Sequence, residues 1–382
     1  MWAYCNPVDI SFGAGSLARV PALLGGRSYG LVTYGEPMFA ELAGRLADLA
    51  GAPAITVDDI RPNPDFAGLG DSCARFAEAA EPPQVIVALG GGSVIDAAKV
   101  LAASNGDFAR VRRYLETGEG ARDLSALPII AIPTTAGTGS EVTCSAALWD
   151  AKAGKKYSLA LPGLYPEKAV VDPELHLGLP RALTISTGLD ALSHALESLW
   201  NVNANPVSRA LAVSAARDIL DSLPKVVEDP GNIDLRTRVA RAALMAGLAF
   251  SNTKTALAHA LSYAITLRHG VPHGIACSFS LPLVMRAAIG VDGDCDRALQ
   301  AIFGADLQAG ADDLTGFLTG LGVSVKAADH GVTEEEWQDL VNLAFAGDRG
   351  RNFIGNRERF EASRDKLAAV AEARPLEATS VN

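Results

Sequence analysis

Gln84–Lys99 reads QVIVALGGGSVIDAAK, and the order of its parts decides the fold. Val85–Leu89 has the β-branched richness of a strand buried on both faces. Glycines and a serine follow, and from Ser93 to Ala102 the apolar positions take helical spacing. A strand that passes through glycines straight into a helix is the first half of a parallel crossover unit. The glycines permit positive φ and admit backbone N–H groups to a ligand that any Cβ would hold away. The amides and positive dipole end of the helix opening at Ser93 aim at the same point, an anion site suited to a pyrophosphate. The spacing is neither G-x-G-x-x-G nor a P-loop ending in Lys-Ser/Thr. A tight strand–helix turn without a ligand has the same sequence signature.

Outward from this unit the alternation continues. Gly30–Tyr34 (GLVTY) reads as a strand and Met38–Leu49 as a helix, with further strands at Leu127–Ile132 and Ala169–Val171. This predicts a parallel sheet with helices on both faces. After the Leu127–Ile132 strand comes Pro133–Glu141, PTTAGTGSE, whose small hydroxyl and glycine residues suit phosphate and ribose contacts at the carboxyl edge of a parallel sheet. Beyond Pro180 the pattern changes. Arg181–Asn201, Pro206–Leu223, Leu235–Phe250 and Thr255–Leu267 all carry helical spacing rich in Ala and Leu.

Two polar residues stand out in the helical half. Asp190 and His194, in STGLDALSHALESLW, lie four positions apart, so one helix face carries both. His259 (in LAHAL) and His273 (in VPHG) follow on later segments. A carboxylate with three imidazoles is a sound ligand set for a borderline divalent metal such as Fe(II) or Zn(II). Singly, each has a duller explanation, a surface hydrogen bond or a packed core ring. Together they are harder to dismiss, because three of the chain's six histidines sit in apolar helical surroundings where an unpaired ring is costly. His176, His269 and His330 lie in polar stretches and need no special role, although His269 is close enough in sequence to His273 to line a pocket.

Composition sets limits on the class. With 382 residues, 49% hydrophobic and 20% charged, the chain is globular and long enough for two domains. A formal net charge of −11 without a dense Lys/Arg run argues against a nucleic-acid groove or an anionic membrane surface as the main partner. An anionic small molecule remains compatible, since a few local arginines outweigh a distant net charge. The N-terminal MWAYCNP lacks a secretory pattern, and no apolar run is long enough to span a bilayer. Five scattered cysteines, never spaced C-x-x-C, suit reduced thiols and a cytoplasmic location.

GGGSVIDAAK (Gly90–Lys99), IPTTAGTGSEVT (Ile132–Thr143), DPEL (Asp172–Leu175), TGLDALSHALE (Thr187–Glu197) and the His259…PHG pair, in this order, resemble the iron-containing (group III) alcohol dehydrogenase family along essentially the whole chain. The resemblance implies a Rossmann-like α/β N-terminal domain and an all-helical C-terminal domain, the dehydroquinate synthase-like architecture. The division expected is 1–178 for the dinucleotide and 179–382 for metal and substrate. It carries metal ligation onto Asp190, His194, His259 and His273. Pyrophosphate contacts fall on Gly91, Gly92 and Ser93 with Asp96 nearby, and further cofactor contacts on Thr134, Thr135 and Thr138. Lys156 matches a family lysine beside the nicotinamide ribose. The cofactors implied are NAD or NADP and one divalent metal, Fe(II) ahead of Zn(II); the partners implied are a small aldehyde or alcohol and a second copy in a homodimer.

Two departures matter. Many members place an Asp after the first strand, where it accepts from the adenosine ribose and repels a 2′-phosphate. Here Tyr34 takes that place, which weakens exclusion of NADP. Many members also carry a further His four residues after the first late ligand, where this chain has Tyr263. The expected chemistry is hydride transfer between nicotinamide and a small aldehyde beside a Lewis-acidic metal, with His259, Tyr263 and Lys156 as catalytic candidates and the proton coming from Tyr263 or from the cofactor ribose with solvent. Thr255–Pro282 looks closest to the phosphonoacetaldehyde reductase branch, for which Arg268 and His269 are the expected anion contacts, with Arg286, Arg349 and Arg351 as further cations. A maleylacetate reductase-like enzyme or a dehydroquinate synthase-like lyase are the alternatives.

Overall fold

A computed structural model describes residues 1–150 and 152–364 of the chain. In chain order its strands are β1 (Asp9–Phe12), β2 (Tyr29–Val32), β3 (Ile55–Val57), β4 (Val85–Gly90), β5 (Ile129–Pro133), β6 (Ser145–Asp150), β7 (Lys155–Ala160) and β8 (Lys168–Val171). Six of them form one sheet in the order β1-β8-β5-β4-β2-β3, parallel at every pairing. β6 and β7 form a separate antiparallel hairpin. Every residue of β2, β4 and β5 is buried, as continuous apolar runs demand in a sheet covered on both faces.

The strand order places the cleft. From β2 the chain runs outward to β3, then returns to β4 on the other side of β2 and continues through β5. The carboxyl ends of β2 and β4 are therefore a topological switch point, where open α/β sheets bind ligands. Tyr34 lies just past β2, the Gly91–Ser93 turn just past β4 and Thr134 just past β5. The amide of Thr134 donates to Gly90 O at 3.0 Å, which holds two of these ends together.

The second half is helical, with helices at Arg181–Leu199, Pro206–Glu228, Ile233–Thr253, Leu257–His269 and the short His273–Ser278. The first is the axis of the bundle, buried along most of its length from Thr184 onward. A helix buried all round cannot send polar side chains to water, so those it carries must find partners inside. Asp190, His194 and Glu197 are such residues. Among the described residues no helix is long and apolar enough to cross a membrane.

Differences from the sequence reading are local. β2 runs from Tyr29 to Val32 rather than on to Tyr34; Thr33 still donates its amide to Val57 O at 2.9 Å and its hydroxyl to Leu89 O at 2.8 Å, the last links to the neighbouring strands. The glycine-capped helix begins at Gly92. β1, β3 and the β6–β7 hairpin gave no clear signal: β1 is a four-residue edge strand with one buried position, and β7 (KKYSLA) is mostly polar and accessible. His176, read as an unremarkable polar-stretch residue, is buried, its Nε2 3.2 Å from Pro133 O. The carboxylate of Asp172 accepts from the amides of Gly15, Leu17 and Glu174, which gives DPEL a structural role in tying the N-terminal turn to β8.

Candidate metal centre and dinucleotide cleft

Asp190 and His194 project from one face of the Arg181–Leu199 helix, and the later Leu257–His269 and His273–Ser278 helices bring His259 and His273 to them. Asp190 Oδ1 lies 3.8 Å from His194 Nε2, 3.4 Å from His259 Nε2 and 3.9 Å from His273 Nε2. Four ligands at about 2.1 Å from a tetrahedral cation would stand roughly 3.4 Å apart, and the three distances from Asp190 are within about 0.5 Å of that value. Close approach of His273 depends on Gly274: a Cβ there would fall 1.8 Å from Ser186 O and 3.1 Å from Asp190 Cβ. Flat stacking of His194 on Phe250, with centroids 4.0 Å apart, holds that ring in place.

The electrostatics fit a cation. Burial pushes the His194 imidazole down to about 4 and that of His273 well below its ordinary range, so both are neutral, as ligation requires. The Asp190 carboxyl is held far below the usual range; burial opposes this, but the surrounding imidazoles outweigh it. Nε2 of His259 is buried without a hydrogen-bond partner. An orphaned nitrogen in a dry site is costly unless it binds something, and a divalent metal is what this donor set accepts.

Glu197, one further turn along the same helix, fixes His259. Its Oε2 accepts from His259 Nδ1 at 2.7 Å and from Ala256 N at 2.8 Å. Its Oε1 accepts from Ala258 N at 2.6 Å and His259 N at 3.2 Å. Burial would raise this carboxyl, but His259 and the amides hold it below the ordinary range. With Nδ1 bonded, Nε2 is left to face Asp190, the carboxylate–histidine arrangement that orients metal ligands. The sequence reading missed Glu197, although Asp190, His194 and Glu197 at i, i+4 and i+7 share a face. Cys277 was also missed: its Sγ lies 3.4 Å from Asp190 Oδ1, and its thiol is pushed well up by burial and then by Asp190. The ligand atoms of Asp190, His259, His273 and Cys277 lie within 4.8 Å of one another.

At the switch point the turn packs closely against its neighbours. A Cβ on Gly92 would sit 2.5 Å from Thr138 Cγ2, and one on Gly91 3.3 Å from both Thr135 Oγ1 and Tyr34 Oη. Tyr34, Gly91, Gly92, Thr135 and Thr138 thus meet at the mouth of the turn, beside Ser93. Asp96 is turned elsewhere, accepting from Ser140 Oγ at 2.6 Å and Ala147 N at 2.8 Å. With it works Lys99, whose buried Nζ donates to Ser140 O, Ser140 Oγ and Ser145 O at 2.7–2.8 Å and whose pKa falls to about 8 on burial. These two residues clasp the 134–143 loop. That loop reaches the helical half through Gly139 (φ +60°), whose Cβ, if it had one, would be 2.6 Å from Gly247 Cα.

Between the two regions stands Tyr263, its ring parallel to that of His273 with centroids 6.0 Å apart. Lys156 Nζ is 3.8 Å and the Arg349 guanidinium 5.0 Å from the Tyr263 centroid. Burial and then Arg349 push Lys156 down to about 7. Arg268 and His269 are not drawn into this group: both bond Glu336, at 3.1 and 2.9 Å.

Comparison with known proteins agrees with the geometry. Residues 7–173 match the family described as iron-containing alcohol dehydrogenase, and residues 184–370 match the Fe-containing alcohol dehydrogenase family, C-terminal. The chain is 38% identical to the phosphonoacetaldehyde reductase of Streptomyces viridochromogenes over 74% of each protein. It is 31% identical to the sulfoacetaldehyde reductase of Bilophila wadsworthia over 76% of each. Among solved structures, the sulfoacetaldehyde reductase of Bifidobacterium kashiwanohense in complex with NAD+ superposes with a TM-score of 0.87 at 32% identity, covering 98% of this chain and 100% of that one.

Proposed function

This chain belongs to the iron-containing alcohol dehydrogenase family, a group of metal-dependent, NAD-linked oxidoreductases acting on CH–OH, and within it we propose a reductase of small anionic aldehydes, phosphonoacetaldehyde first among them. The observation that carries the reading is the convergence of His194, His259 and His273 on Asp190, within 3.9 Å, next to a glycine turn at the sheet's switch point. The substrate class is supported by similarity to reductases of a phosphono- and a sulfoacetaldehyde.

When bound, the metal supplies Lewis acidity toward the carbonyl oxygen and the nicotinamide supplies the hydride. The protein's own contributions are placement and protons. In this proposal Asp190, His194, His259 and His273 hold the cation, iron(II) ahead of zinc(II), from the 179–382 unit. Gly91, Gly92 and Ser93 present amides to the pyrophosphate from the 1–178 unit, and Thr134, Thr135, Thr138 and Tyr34 complete that wall. Lys156 borders the nicotinamide ribose. Tyr263 gives the proton: burial raises its phenol above the ordinary value, so it stays protonated at neutral pH and has a proton to donate. Two further expectations rest on the sequence alone, a cytoplasmic location from the scattered cysteines and a homodimer from the family resemblance, and the ribose environment at Tyr34 leaves NADP as an accepted alternative to NAD.

The test is steady-state oxidation of NADH and NADPH, side by side, by Fe(II)- and Zn(II)-reconstituted enzyme over a panel of propanal, phosphonoacetaldehyde and sulfoacetaldehyde. Higher kcat/KM for the anionic aldehydes is expected. Preference for propanal defeats the substrate assignment, and inactivity with every aldehyde defeats the reductase.

A further inference from the structure

Of the cations in the helical half that lie near the cleft in sequence, most are already neutralised. Arg268 and His269 share Glu336, Arg286 is bonded to Gln308 and Asp312, and Arg351 is bonded to Asp348. Arg349 differs. Its Nε donates to Thr255 Oγ1 at 3.0 Å, which fixes the guanidinium plane, and among the described residues neither of its terminal nitrogens has a hydrogen-bond or carboxylate partner. Lys156 Nζ is likewise without a hydrogen bond or ion pair among the described residues, and both cations crowd one ring, 3.8 and 5.0 Å from the Tyr263 centroid. Two like charges this close repel each other, and a low-dielectric wall strengthens the repulsion. A guanidinium fork held at its Nε and an ammonium beside the same ring are together complementary to a tetrahedral oxyanion.

We infer that Lys156 and Arg349, both beside the Tyr263 ring, form the subsite for the substrate's phosphonate or sulfonate group, a role the sequence pattern had suggested for Arg268 and His269. The inference rests on the anionic-aldehyde reading. The span agrees: Tyr263 stands 6.0 Å from the His273 ring. With bonds of about 1.5 Å, a two-carbon aldehyde separates its carbonyl oxygen from its acid oxygens by roughly 4–5 Å. That length is of the same order as the offset of Tyr263 from the His273 ring, which puts the cations beside Tyr263 in the neighbourhood of the acid end of an aldehyde seated at the imidazole cluster. Lys156 also borders the nicotinamide ribose, so Arg349 is the discriminating position.

The experiment compares wild type, Arg349→Gln and Arg349→Lys as metal-loaded enzymes. It reads the ratio of kcat/KM for phosphonoacetaldehyde to that for propanal, and calorimetric binding of methylphosphonate in the presence of NAD+. Loss of a bidentate charge-assisted contact should lower the ratio and weaken methylphosphonate about 10- to 100-fold in Arg349→Gln. Arg349→Lys should fall between, which also shows that the loop still folds. A wild type that reduces the anionic aldehyde, with both variants keeping its ratio, overturns the subsite and leaves the function intact. A wild type that does not reduce it yet binds methylphosphonate in an Arg349-dependent way supports the subsite and overturns the substrate. Absence of both activity and binding overturns both.

Discussion

Glu197→Gln changes one atom and should cost the protein both stability and metal. Each carboxylate oxygen accepts two N–H donors, Ala256 N and His259 Nδ1 at Oε2, and Ala258 N and His259 N at Oε1. A carboxamide has one acceptor end, so whichever way it sits its NH2 faces two donors and two bonds are lost. Charge-assisted bonds to a buried group contribute about 1.5–3 kcal/mol each, giving a loss of about 3–6 kcal/mol. That is comparable to the whole stability of many domains, about 5–15 kcal/mol. If the amide settles with its NH2 at the Oε2 position, His259 must also turn or change tautomer, and Nε2 no longer faces Asp190. Disturbing such a partner typically weakens metal binding about 10- to 100-fold. Two readouts separate the effects: thermal unfolding of metal-free protein, and metal retained after dialysis against graded chelator in the cold, where the variant remains folded. Unchanged melting would refute the hydrogen-bond accounting, and unchanged retention with lowered melting would refute the orienting role.

Other outcomes follow from single contacts. Gly92→Ala places a Cβ 2.5–2.9 Å from three side-chain atoms of Thr138, which forces the hydroxyl out of its rotamer or the turn away from the pyrophosphate. NADH affinity by fluorescence titration should fall at least about 10-fold, roughly 1.4 kcal/mol, with little change in melting; undiminished affinity would remove the turn from the cofactor site. His176 is buried neutral and its pKa falls from 6.5 to about 4, through burial first. The unfolded chain then binds more protons across that interval, so stability is full above about pH 6.5 and is lost as pH falls toward 4, by up to about 3 kcal/mol. His176→Gln removes the titration while keeping a donor for Pro133 O, so denaturant unfolding from pH 7 to 4 should show a shallower decline than wild type. Parallel declines would place the acid sensitivity elsewhere.

How much was legible in the sequence depended on whether a constraint is local. The β4 unit was readable because its signals are covalent neighbours: an apolar run, glycines and a helix face within sixteen positions of Gln84–Lys99. The helical half was readable because a period of 3.6 repeats over several turns in each long helix. Short edge elements such as β1 were not, since four residues hold too little periodicity to stand out. His176 misled for a related reason. Its immediate neighbours, Leu175 and Leu177, are apolar, but the partner that makes burial tolerable comes from β5, more than forty positions away, whose Pro133 O accepts its ring.

The same distinction explains what was seen and missed in the site. Asp190 and His194 share one helix turn, and the shared spacing betrays them, whereas their meeting with His259 and His273 comes from how three helices cross. A buried axial helix makes the polar face informative: once Asp190 and His194 are placed on it, Glu197 must also point inward, and an inward carboxylate needs donors. The buried start of the Leu257–His269 helix supplies them, through amides of Ala256, Ala258 and His259 that the helix itself leaves unbonded. One carboxylate therefore caps a helix start and sets the tautomer of a ring in that helix, so the fold and the proposed metal centre depend on a common contact. Arg349 marks the opposite limit. Its guanidinium matters because Arg268 and His269, the cations nearest the metal ligands in sequence, are paired with Glu336, and pairing across more than sixty positions leaves no trace in the residues beside them. Which cation is left to bind an anion is a property of the whole packing arrangement, and only coordinates express it.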